Sequence, residues 1–407
     1  MAIMSPRLFQ WLRISLFNLL VVAFLGLILR YKIAFSLPFI DQKYLLHAHS
    51  HFAFTGWITQ ALMALMVARI SAHKKADLFP KYRWLLYANL FTAYGMLFSF
   101  SFQGYGFFSI LFSNLSIFTS WMFAVYCWKD LNRLPVKNIS TYWFKAALLF
   151  NALSALGAFA LAGMIANKII HQNWYLAAIY FFLHFQYNGW FFFACMGLFI
   201  DKITAFYPAK KIMKCIFYLF VAACPPAFLL SVLWLPMPLW IYVIVVICAF
   251  AQVVGWVLLV WFLFKRKEKI FSSLTIHAKW LLTLSALALT VKLILQLGST
   301  IPSLSTLAYG YRPIVIAYLH LILLGVFTLF LLGYIMNEKI LPLTRKLILG
   351  IIVFTSGILL NELLLLMQGV AAISYVPIPF INELLLAAAA ILFTGMLFLN
   401  SGIKNQT

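Results

Sequence analysis

The chain has 407 residues, of which 65% are hydrophobic and only 9% charged, with a mean hydropathy of +1.00. That composition excludes a soluble globular domain and an intrinsically disordered chain, and it fits a polytopic helical membrane protein. The formal net charge of +22 would suit a nucleic-acid binder, but the placement of the charges gives it another meaning.

Apolar stretches of spanning length fall at roughly 12–33, 45–71, 83–101, 104–128, 143–166, 173–200, 215–235, 238–264, 279–298, 313–336, 345–368 and 378–400. Each suffices to cross about 30 Å of hydrocarbon as a helix. None alternates as barrel strands do. The expected fold is all-α, with about 12 transmembrane helices and short loops, in a single transmembrane domain covering 1–407. Arg7 and Arg13 precede the first stretch as in a signal sequence. That stretch is longer than a signal core and lacks a small-residue cleavage site, so it reads as the first span.

With the N-terminus inside, only Arg30, Lys32, Lys43, Lys168 and Arg312 fall on the outer side, and Lys292 lies within a span. The other basic residues gather on the inner side, for example Lys74, Lys75, Lys81 and Arg83, or Lys265, Arg266, Lys267 and Lys269. This asymmetry predicts that both termini are cytoplasmic, in a multi-pass protein whose expected location is a bacterial inner membrane. The lipid bilayer is the expected partner, and the charge distribution argues against nucleic acid.

The five cysteines (Cys127, Cys195, Cys215, Cys224 and Cys248) lie in or beside spans without a CxxC pair and read as small apolar residues. Pro225-Pro226 predicts a kink in the seventh span. Asn361-Glu362-Leu363 and Asn382-Glu383-Leu384 form a weak repeat near the outer face. Residues there ordinarily reach the interface, and a proton or cation site is the other reading.

Histidine carries the chemical signal. The segment His47-Ala48-His49-Ser50-His51 opens the second span, His184 lies in the sixth and His320 in the tenth. All three spans run from outside to inside. At 1.5 Å per residue His320 lies roughly 10 Å and His184 roughly 15 Å from the outer end, with the cluster within about two turns of it. Buried imidazoles at one depth imply a metal, a proton path or a substrate, whereas a lone membrane histidine often only hydrogen-bonds a neighbouring helix. His47 and His51 share a helix face, and His49 points about 200° away. Gly56 follows His51 by five residues and Gly325 follows His320 likewise, and such a glycine admits a macrocycle or another helix. Two histidines from facing helices at similar depth suit a six-coordinate haem.

Twelve spans with histidines on the second, sixth and tenth resemble subunit I of the haem-copper oxidases, above all the cbb-type oxidases and nitric oxide reductases. Leu183-His184 followed by Asn188-Gly189-Trp190 looks like the copper-ligand helix, and Tyr318-Leu319-His320 like the tenth-helix ligand segment. His47-Ala48-His49 through Gly56 is also similar to the N-terminal motif of NnrS-type haem- and copper-containing proteins. The resemblance implies a low-spin haem b held by His320 and one of His47, His49 or His51, with His184 as a metal ligand. Tyr318 and Arg312 would lie at the cofactor, Arg312 meeting a propionate. The pattern departs from the family in two places. The seventh span has no histidine, so the copper ligand set is incomplete, and Tyr318 stands where the high-spin haem has its histidine.

The implied function is intramembrane electron transfer or a response to nitric oxide or dioxygen, without a standard binuclear centre. No catalytic residue is assigned, and an electron donor or partner subunit is implied. The alternative is a secondary transporter or channel for a small solute, metal or haem, using the histidines with Glu362 and Glu383. A structural subunit whose partner holds the redox centres is a third reading.

Overall fold

A computed structural model describes residues 6–207, 209–305 and 311–403. Twelve of its helices are long and apolar enough to cross a membrane, and no strand occurs among the described residues. In order they are Pro6–Ala34, Gln42–Lys74, Phe79–Gln103, Phe107–Asn132, Ile139–Ala166 and Gln172–Phe206, then Lys210–Val232, Leu239–Phe264, Ile276–Gly298, Arg312–Asn337, Arg345–Ile373 and Ile381–Gly402. They are named below as the first to twelfth spans. The all-α polytopic fold and the twelve spans are as expected. Most helices extend beyond the apolar stretches, and three of them begin at a polar side-chain cap. Asp41 accepts from Tyr44 N at 2.9 Å, and Thr275 and Thr344 cap the ninth and eleventh spans in the same way.

The helices gather into two compact units. The first comprises 1–123 with 331–407, and the second 124–330. In the first unit the eleventh and twelfth spans touch through glycines seven residues apart on each helix. A Cβ on Gly350 would lie 2.3 Å from Leu399 N, and one on Gly395 would lie 2.4 Å from Phe354 N. Gly357 and Gly402 face Leu392 and Leu347 in the same manner. Packing without side chains between backbones is how helices associate where no hydrophobic force separates protein from lipid. The first span joins this pair through Asn400 Nδ2, which donates to Leu16 O at 3.2 Å. Arg7 pairs with Asp77, fastening the first span to the turn after the second.

In the second unit the fifth and sixth spans are equally close, since a Cβ on Gly157 would meet Ala178 O at 2.6 Å. The seventh span changes from α to 3-10 geometry after Pro225-Pro226, at Phe228–Val232. There the Phe228 N–H reaches back to Pro225 O instead of the α-helical partner Cys224 O. That exchange leaves the Cys224 carbonyl for another donor. Large apolar side chains such as Phe91, Phe98, Ile247 and Phe250 stand outward along their helices, as a lipid-facing surface requires.

Candidate functional site

The second, sixth and tenth spans share a local defect. The sixth and tenth turn from α to π geometry directly after their histidines, at Phe185–Phe191 and Leu321–Thr328, and the second does so two residues after His51, at Ala53–Thr59. A π-segment inserts an extra residue per turn and is found mainly at functional positions. All three carry a glycine five residues after the histidine: His51 to Gly56, His184 to Gly189, and His320 to Gly325. The unit of histidine, π-turn and glycine thus recurs at intervals of four spans.

A π-segment displaces carbonyls from the helical ladder, and in lipid these need another donor. Neighbouring spans supply it. Asn18 Nδ2 donates to Gly56 O at 2.6 Å, and Asn89 Nδ2 donates to Thr55 O at 3.0 Å and to Gln60 Oε1 at 2.7 Å. Tyr94 donates its hydroxyl to Asn18 Oδ1 at 2.7 Å, which fixes the amide orientation. In the second unit Ser285 Oγ donates to Val326 O at 2.8 Å, and the Cys224 thiol lies 3.6 Å from Asn188 O as a weak donor. These residues escape sequence reading because nothing in hydropathy marks a buried asparagine or serine as the partner of a distant carbonyl.

In the first unit the cluster divides as its helical spacing predicts. His51 stacks on Phe100 with ring centres 4.4 Å apart and planes 11° apart, and His47 meets Tyr105 edge-on at 4.6 Å. His49 faces the first span, where a Cβ on Gly26 would lie 3.4 Å from its Cε1. His47 Nε2 is buried with no hydrogen-bond partner. The glycines beside the histidines are already filled: Gly56 by the Phe52 ring, Gly189 by Phe150, and Gly325 by Ala288 of the ninth span. Of the two uses a glycine offers there, the described contacts show close packing.

In the second unit His184 is 1% exposed and both its nitrogens are engaged. Nε2 lies 2.9 Å from Cys224 O, the carbonyl released by the proline pair. A carbonyl only accepts, so Nε2 carries the hydrogen and the ring is the Nε2–H tautomer. Nδ1 then accepts from Asn188 Nδ2 at 3.0 Å. His320 has the opposite tautomer. Its Nδ1 lies 2.8 Å from Ile316 O one turn earlier, so Nδ1–H donates and Nε2 keeps the lone pair. A ring N–H held by a backbone carbonyl is the arrangement that orients metal-binding imidazoles. Tyr318, half-buried, is two residues before His320 and on a different side of the helix. Arg312, exposed, is the first residue of the tenth span.

Lys292 is buried, with Nζ 2.5 Å from Gln296 Oε1. It reaches neither the interface nor, within its unit, a carboxylate: Glu362 and Glu383 belong to the first unit, Glu362 half-buried beside Asn361 and Glu383 exposed.

The donor chemistry separates the two implied cofactors. Taken unit by unit, His320 with Nδ1 held by a carbonyl in the second, and the buried unpaired Nε2 of His47 in the first, are each of the imidazole chemistry that ligates haem iron. Copper at His184 does not fit. Both imidazole nitrogens are occupied, and among the described residues no three His, Cys, Asp or Glu side chains group as a metal site would. No protein-family model matches the chain, and no curated protein matches it in sequence, so the site rests on its own geometry.

Proposed function

We propose that this is an integral membrane haem-binding protein that uses haem b for electron transfer within the membrane or for response to nitric oxide or dioxygen. The observation that carries the reading is the His320 imidazole, whose Nδ1–H is held by Ile316 O at 2.8 Å, the second-neighbour hydrogen bond that orients metal-binding imidazoles. The histidines of the second span, on a helix braced by Asn18 and Asn89, are the other imidazoles offered. Haem bound by imidazole supplies one-electron redox chemistry and, where a coordination position is open, gas binding. The chain's own part is to hold the His320 ring in a fixed tautomer and to exclude water with apolar and aromatic side chains.

A standard binuclear centre is not part of the proposal, because the seventh span lacks histidine and His184 is spent on Cys224 O and Asn188. The three π-interrupted spans are all even-numbered and therefore run in one direction, which supports a parallel repeat over the inverted repeat common in transporters. Visible spectra of the oxidised and dithionite-reduced protein test the proposal. Sharp reduced bands of six-coordinate b haem are expected in the wild type and should disappear in His320→Ala. Bands that survive unchanged in that variant would remove His320 as a ligand.

A further inference from the structure

The haem reading leaves unused a buried lysine amine with no carboxylate beside it. Lys292 is 5% exposed in the ninth span, and its one hydrogen bond runs to Gln296 Oε1. The acidic residues of its unit are Asp130, Asp201 and Glu268, and none lies within ion-pair distance of it among the described residues. An isolated buried charge costs several kcal/mol, on the order of a whole domain's net stability, so a buried amine keeps its proton only where an anion accompanies it.

The surrounding hydrogen bonds have one direction. Lys292 donates to Gln296 Oε1, so Gln296 Nε2 donates to Gln252 Oε1 at 2.9 Å, and Gln252 Nε2 remains as a donor. Two small cavities of about 10 Å³ each adjoin Lys292, and both are also lined by Asn188, Phe192 and Leu289. The first adds Gln252 and Cys224 to its wall. Each has roughly the volume of one water-sized guest. The Lys292 amine and a glutamine N–H thus bound the first cavity, with the Cys224 sulfur, whose S–H is turned to Asn188 O, and aromatic and aliphatic groups completing the wall. The titratable groups facing this region are His184 and Tyr187 of the sixth span and Cys224 of the seventh, and the tenth span presents only Ile322, Val326 and Phe327. His184 is a neutral imidazole because its Nδ1 accepts a hydrogen bond, so it supplies no negative charge.

We infer that the cavity between Lys292, Gln252 and Asn188 is a binding site for one small inorganic anion of about the size of chloride. The anion accepts from the Lys292 ammonium and from Gln252 Nε2, and the second cavity holds a water between Lys292 and Asn188. The site is independent of the haem ligands.

The test is equilibrium binding of radiolabelled chloride to the full chain in detergent, with unfolding midpoints compared in chloride and in gluconate at equal ionic strength. Wild type should bind about one chloride per chain and unfold at a higher temperature in chloride. Lys292→Met, which replaces a buried charge with a side chain of similar length, should fold and lose both effects. Gln252→Leu should weaken chloride at least about tenfold, the loss expected for one hydrogen bond to a charged ligand. It also serves as the test should Lys292→Met not fold. A folded wild type with no saturable chloride binding would overturn the inference, and so would equal affinity in either variant.

Discussion

Asn18 is fully buried in the first span and serves two other helices at once. Its Nδ2 donates to Gly56 O in the π-turn after the histidine cluster, and its Oδ1 accepts from Tyr94. Asn18→Ala leaves the Gly56 carbonyl without its side-chain donor, at a cost of roughly 1–3 kcal/mol. The half-buried Tyr94 hydroxyl loses its acceptor as well, adding about 1 kcal/mol, for a total of roughly 2–4 kcal/mol. Asn18→Asp should be no better: it keeps an acceptor for Tyr94 but sets a carboxylate against a carbonyl 2.6 Å from the lost donor. Asn400→Ala is the control, since Asn400 Nδ2 is shared between Leu16 O and its own helix's Met396 O, and its loss should cost about 1 kcal/mol or less. The assay is the unfolding midpoint of the purified chain in one detergent for all three variants. If Asn18→Ala shifts the midpoint no more than Asn400→Ala does, the π-turn is not held by this amide.

Three further outcomes follow from the same geometry. Gly395→Leu drives a side chain into the Phe354 backbone, and the eleventh and twelfth spans must separate; size-exclusion profiles should show loss of monodisperse protein, whereas Gly163→Leu, at a glycine with open space, should leave the profile unchanged. His184→Ala strands Cys224 O and the Asn188 amide, so the unfolding midpoint should fall by the equivalent of about 2–4 kcal/mol while haem content stays at the wild-type level; loss of haem with an unchanged midpoint would reverse the assignment. Ser285→Ala removes the donor to Val326 O in the tenth span and should cost about 1–2 kcal/mol in the same unfolding assay.

The twelve spans are legible because lipid imposes a length and a composition on each, and short loops leave few alternatives. The division of the histidine cluster into two faces follows from helical spacing alone, and the contacts of His47 and His51 with Tyr105 and Phe100, against His49 with Gly26, agree with it. The five-residue interval from His184 to Gly189 is also written in the chain. What the chain does not announce is the π geometry, because one inserted residue leaves the apolar pattern unchanged. Nor does it announce the distant side chains that satisfy that geometry, Asn18, Asn89 and Ser285, which come from other spans. Pro225-Pro226 predicts a kink, but its consequence, a carbonyl released to His184, needs the neighbouring helix to be seen. Lys292 illustrates the reverse: a lysine near a span end ordinarily snorkels, and burial against Gln296 depends on a partner one helical turn away and a further amide on the eighth span.

The central claim is that imidazoles presented by these spans hold a haem, and its most direct test is haem b per polypeptide. The measurement is a pyridine haemochrome assay on protein purified in mild detergent from haem-replete cells, normalised by amino-acid analysis. The account predicts at least about one haem b per chain, falling toward zero in His320→Ala. A colourless, folded wild-type protein would contradict it, and would make a solute path through the membrane the leading reading.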